Sequence, residues 1–144
     1  MKVEWTFKES PDQMVNPSTD FPQSMTTIVA SRPGIMQQSL RTSLAAHAWI
    51  RLIASAGDGL TALNQVIEHQ PQLLIIDNNL LSEEIEALLA AVKAKAPATR
   101  CLVCTQSNRQ TDHLLAIGAD AVIVRDSTAT HWHTILEQLA QRIP

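Results

Sequence analysis

From residue 26 onward, short apolar runs alternate with amphipathic stretches of 10 to 15 residues, a rhythm that predicts repeated β-α units. Five runs read as strands: residues 27–30, 50–53, 73–76, 101–104 and 121–124. They mostly lack polar alternation, as suits a parallel sheet covered on both faces. Between and after them the apolar positions recur at helical spacing. Ile85, Leu88, Leu89 and Val92 form one i, i+3, i+4, i+7 stripe, and Trp132, Ile135, Leu136 and Leu139 form another. Looser stripes place Met36, Leu40 and Leu44 on a first helix, Leu60, Leu63, Val66 and Ile67 on a second, and Leu114, Leu115 and Ile117 on a fourth. Pro71, Pro97 and Gly118 stand where three of these helices should end. The expected architecture is α/β, a (βα)5 three-layer sandwich with right-handed connections.

Residues 1–25 break the rhythm. Pro11, Pro17 and Pro22 lie among Ser, Thr, Asn, Asp and Gln, the composition of a partly flexible N-terminal extension to a domain spanning 26–144. Residues 3–7 alternate apolar and polar, and read either as a short strand or anchoring segment or as part of that loose extension. At 144 residues and 45% hydrophobic, the chain is long and apolar enough for one domain with a real core. A formal charge of −3 supplies no positive field for nucleic acid or anionic lipid. The longest apolar stretches, such as residues 87–92, are six residues long, against about 18 needed for a membrane span. The first residues lack the apolar core of a signal peptide, so the expected compartment is the cytosol.

The two cysteines, Cys101 and Cys104, spell a C-x-x-C inside an apolar run. On a strand, positions three apart face opposite ways, so the pair reads as core rather than as a redox or metal motif.

In an open parallel sheet, the site lies where loops leave the carboxyl ends of the strands, at the point where strand order reverses. The residues expected there are Ser31 and Arg32, residues 55–58, Asp77, Thr105 and Arg125. An acid, a hydroxyl and a permanent cation suit phosphoryl chemistry, with Asp77 as acceptor, Thr105 as hydrogen-bond donor and Arg125 balancing charge. The alternative is structural, with Asp77 capping the third helix and pairing with Arg125.

Four segments bear on this choice: AGDGLTAL (56–63), PQLLIIDNNL (71–80), PATRCLVCT (97–105) and GADAVIVRD (118–126). In this order and spacing they resemble a response-regulator receiver domain of two-component signalling, over about four fifths of the chain. The resemblance implies a doubly wound, flavodoxin-like sheet of order 2-1-3-4-5. It places Asp77 on the phosphoacceptor aspartate, Thr105 on the switch hydroxyl that contacts the phosphoryl group, and Arg125 in place of the family's lysine. Guanidinium keeps the charge but changes the geometry.

Departures from the pattern are specific. Ser31 and Arg32 stand where the family has an acidic pair that holds Mg²⁺; Mg²⁺ wants carboxylate oxygens, so metal binding is expected to be weak or absent. Arg32 is expected to pair with Asp77 or to support a phosphate without a metal. Leu81 replaces a proline, and Val122 replaces the aromatic that reports activation. The expected product is a degenerate receiver, or pseudo-receiver, binding a histidine kinase, a downstream output protein or a second copy of itself, without contacting nucleic acid. The output is expected to lie in another polypeptide.

Other candidates read as structural. His131 and His133 splay about 200° apart on a helix and cannot share an ion there. Trp132 and Trp49 read as packing, and Asp112, His113, Glu83, Glu84 and Glu86 as wet helix faces. A small nucleotide- or flavin-binding protein is the alternative function, but four glycines and no phosphate-cradling loop stand against it. Neither a Ser/His/Asp arrangement nor paired carboxylates occurs at the strand ends, so no enzyme activity is expected.

Overall fold

The structure, a computed structural model, describes residues 4–7, 25–47 and 50–124, the first of these segments as backbone. Arg125, Trp49 and the stripe from Trp132 to Leu139, with His131 and His133, lie outside the described residues. Among the described residues, six strands and four helices follow in order: β1 (Glu4–Phe7), β2 (Met25–Ala30), α1 (Ile35–Ala45), β3 (Ile50–Ala56), α2 (Gly59–His69), β4 (Leu73–Asp77), α3 (Ser82–Lys95), β5 (Arg100–Thr105), α4 (Thr111–Ala116) and β6 (Ala121–Val124). A short 3-10 turn (Asn108–Gln110) leads into α4.

They form one sheet of order β1-β6-β5-β4-β2-β3. The five strands from β2 to β6 are parallel, and counted alone they run 2-1-3-4-5, the doubly wound order. The sixth is an addition: β1 lies antiparallel on β6, with Glu4 opposite Val124 and Phe7 opposite Ala121. The alternation at residues 3–7 thus produces a strand at 4–7, and the sheet is mixed rather than wholly parallel.

The apolar strands divide their side chains between two layers, as the period of two requires. Ile28, Leu74, Ile76, Cys101, Val103 and Val122 pack with α2, α3 and α4. Val29, Leu73, Ile75, Leu102, Cys104 and Ile123 face the other way, with Leu40 and Leu44 of α1. Cys101 and Cys104 are therefore core residues on opposite faces of β5, and burial pushes the Cys101 thiol up to about 12.

The α3 stripe is buried at all four expected positions. The stripes of α1 and α2 are only partly so. Met36, Leu60 and Ile67 are exposed, and α2 turns Ala62 and Val66 inward. Leu60 stands in the first turn of α2, beside a glycine, and is 71% exposed. α4 closes at Gly118, whose φ of 129° an L side chain rarely adopts. The Ala119 N–H returns to the Leu114 carbonyl (2.9 Å) and the Gly118 N–H to that of Leu115 (3.4 Å), the pattern that satisfies a helix's last carbonyls.

Candidate functional site

Strand order reverses between β2 and β4, whose neighbours lie on opposite sides, and the crevice is at their carboxyl ends. Asp77 closes β4, in register with Cys104, and is 6% exposed. Ser31 follows β2 and is fully buried. Its hydroxyl donates to Asp77 Oδ2 at 3.1 Å. A buried carboxylate needs donors, and Ser31 supplies one from the strand across the crevice.

Two amides absent from the expected site complete its lining. Asn79 Nδ2 donates to Ser31 Oγ (3.1 Å), and Asn79 Oδ1 accepts the Arg32 N–H (3.0 Å), tying the loop after β4 to the loop after β2. Asn78 Nδ2 donates to Thr105 Oγ1 at 2.9 Å, and the Asn78 N–H to the Cys104 carbonyl at 2.9 Å. The signal for both lay in the NN that follows Asp77, since paired amides at a strand end must find partners. Thr105, at the end of β5, is 2% exposed. Its hydroxyl donates to the Ser107 carbonyl at 3.1 Å and accepts from Asn78. Asp77 and Ser31 thus meet directly, while Thr105 joins through the residue next to Asp77.

Three expectations need correction. Asp77 does not cap the third helix: α3 begins at Ser82, and Asp77 uses its backbone carbonyl to accept the Leu80 N–H (3.2 Å). The ion pair formed by Arg32 is with Glu84 (2.6 Å), not with Asp77. Glu84 is accordingly no wet face. Its Oε1 also accepts the Leu81 N–H (3.2 Å) and its Oε2 the Gly59 N–H (2.9 Å), so one carboxylate joins the starts of α2 and α3. The Gly59 N–H, then Leu81 and Arg32, hold the Glu84 carboxyl below its ordinary range, against the opposing effect of burial. Asp58 is held low chiefly by the N–H and hydroxyl of Thr61, with a smaller contribution from Arg32.

Among the described residues, the groups facing Asp77 do not fit a divalent cation. Mg²⁺ needs several hard oxygens with negative charge among them, and the described groups beside Asp77 are a neutral Ser31 hydroxyl and a neutral Asn79 amide, bonded to each other. The Asn79 carbonyl oxygen already accepts the Arg32 N–H, and the Arg32 guanidinium, turned to Glu84, supplies no oxygen ligand.

No family model matches the chain. The signal receiver domain of the response regulator NarL from Mycobacterium tuberculosis superposes with a TM-score of 0.73 at 21% identity, covering 83% of this chain and 98% of that one. The chain has the receiver fold. The response-regulator domain of Thermotoga maritima CheB gives a TM-score of 0.64 at 22% identity, over 83% of this chain and 93% of its own. Among curated proteins, the oxygen regulatory protein NreC of Staphylococcus epidermidis is 27% identical over 107 residues, or 72% of this chain. The chain spans about half (49%) of that relative's length. Among the described residues, no helix of this receiver fold is long and apolar enough to cross a membrane.

Proposed function

We propose that this chain is a receiver-like module of two-component signalling that acts by binding another protein, with Asp77 as phosphoacceptor and impaired Mg²⁺-dependent phosphorylation. In this reading residues 26–144 are the module and residues 1–25 its extension. Thr105 and Arg125 contact the phosphoryl group, and Ser31 and Arg32 mark the lost acidic pair. The partner is a histidine kinase, an output protein or a second copy, met in the cytosol. The observation that carries the reading is the Ser31 hydroxyl on Asp77 Oδ2 at 3.1 Å, in the crevice where the resemblance puts acids and a metal. It supports an acceptor kept in place while its metal partners are gone. Nucleotide or flavin binding gains no support, because the loop after β2 reads Ser31-Arg32-Pro33-Gly34, with a single glycine, and brings the Pro33 ring against Gly57, leaving no glycine-rich turn for a pyrophosphate.

Beryllofluoride titration of wild type and Asp77→Ala, followed by backbone amide shifts, tests this directly. Saturable shifts at Asp77, Ser31 and Thr105 that vanish in the variant are expected. Added Mg²⁺ should change the apparent affinity by less than about twofold, since the cation has no carboxylate pair to bind. A steep Mg²⁺ dependence would show that the metal site works. Silence under every condition would remove Asp77 as acceptor and leave a module that binds partners only.

A further inference from the structure

Arg32 touches two places at once. Its backbone N–H is fastened to Asn79, which hydrogen-bonds the same Ser31 hydroxyl that meets Asp77, so the residue's root is built into the acceptor's lining. Its side chain turns outward to Glu84, where the pair is partly open to solvent, with side-chain exposures of 43% and 23%. Glu84 does not depend on it: the Gly59 and Leu81 N–H groups still satisfy both carboxylate oxygens when the guanidinium leaves. A half-exposed ion pair is worth little, and a phosphoryl group with its two negative charges outcompetes one carboxylate for a guanidinium fork.

We propose that Arg32 takes the place of the divalent cation. When Asp77 accepts a phosphoryl group, the guanidinium leaves Glu84 and supplies the positive charge that neutralises the transferring oxygens, so the transfer runs without metal. This rests on the reading of Asp77 as phosphoacceptor. In the step itself, an Asp77 carboxylate oxygen attacks the phosphorus of a small acyl phosphate. The bond from phosphorus to the acyl oxygen breaks, and the carboxylate that departs keeps the electron pair; no proton, electron or further reactant is needed. Glu84 is then the residue that parks the arginine, and its release changes the charge at the joined starts of α2 and α3. That offers an output route that does not pass through position 122, where a buried valine stands.

The test is intact-mass measurement of the full chain incubated with acetyl phosphate, in excess chelator and again with Mg²⁺. Wild type should gain one phosphoryl group in chelator, and Asp77→Ala should gain none. Arg32→Ala should slow the gain at least about tenfold, as loss of a charged donor to a transferring group does. Arg32→Lys keeps the charge without the fork and should recover part of the rate, while Glu84→Gln, which frees the arginine, should speed it. Modification that requires Mg²⁺, or that proceeds equally well in Arg32→Ala, overturns this role and leaves Asp77 as acceptor. No adduct in either condition overturns the acceptor reading and this proposal with it.

Discussion

At the scale of single residues, Glu84 joins the loop after β2 to the starts of α2 and α3. Its carboxyl is held below the ordinary value of 4.5, first by the Gly59 N–H, so its ionised form is favoured by folding. For a depressed acid the stabilisation is present in full above the unfolded value and is lost as pH falls through the folded one. Wild type should therefore lose stability below about pH 4.5 in a way that Glu84→Gln does not, and the gap between the two should close as the solution is acidified. Denaturant melts at stepped pH check this; a gap that stays constant with pH would mean that the carboxylate's charge contributes nothing. Glu84 could not be picked out from the sequence because Glu83 and Glu86 share its neighbourhood. Only the turn that brings Gly59 and Arg32 to it separates them. Asp77 and Ser31 were legible as strand-end residues, whereas the direction of the Arg32 side chain was not, because two carboxylates compete for it and only geometry decides between them.

Among elements, α3 was the most legible and α2 the least so. Four large apolar side chains at regular spacing leave one way to orient a helix, and α3 adopts it. In α2 the inward face is built from Ala62 and Val66, while Leu60 and Ile67 point outward. A pattern scored by size misreads a helix whose buried face includes an alanine. The contrast gives paired expectations. Leu89→Ala, at a fully buried position, should cost about 3 kcal/mol, whereas Leu60→Ala should stay within about 0.5 kcal/mol of wild type. Chemical denaturation of both variants checks the ranking, and comparable losses would contradict the layer assignment. Strand ends were underestimated for a related reason. β3 runs on to Ala56 past the polar Ser55, because its ladder with β2 follows backbone pairing rather than apolar content.

For the whole molecule, the two edges of the sheet are managed differently. β3 is an edge strand and carries an exposed Arg51, the kind of charge that discourages further pairing. β6 is uncharged from Ala121 to Val124, and β1 covers it. Deleting residues 2–7 should uncover an apolar edge and make the protein self-associate with rising concentration, as sedimentation would report. A truncated chain that sediments like the full one would show that β1 does not protect the edge. The doubly wound order followed from the resemblance and the β-α rhythm. The covering strand could not be decided in advance, since five alternating residues before a proline-rich stretch fit a strand and a loose extension equally well.

The placement of the only two thiols has a practical consequence. Cys101 looks into the α2-α3-α4 layer and Cys104 into the α1 layer, both nearly sealed from solvent. Each sulfur is thus a natural witness to its own side of the sheet. If one layer loosens without the other when a partner or a modifying group arrives, the order in which the two thiols become open to an alkylating reagent records which side moved, with no label introduced.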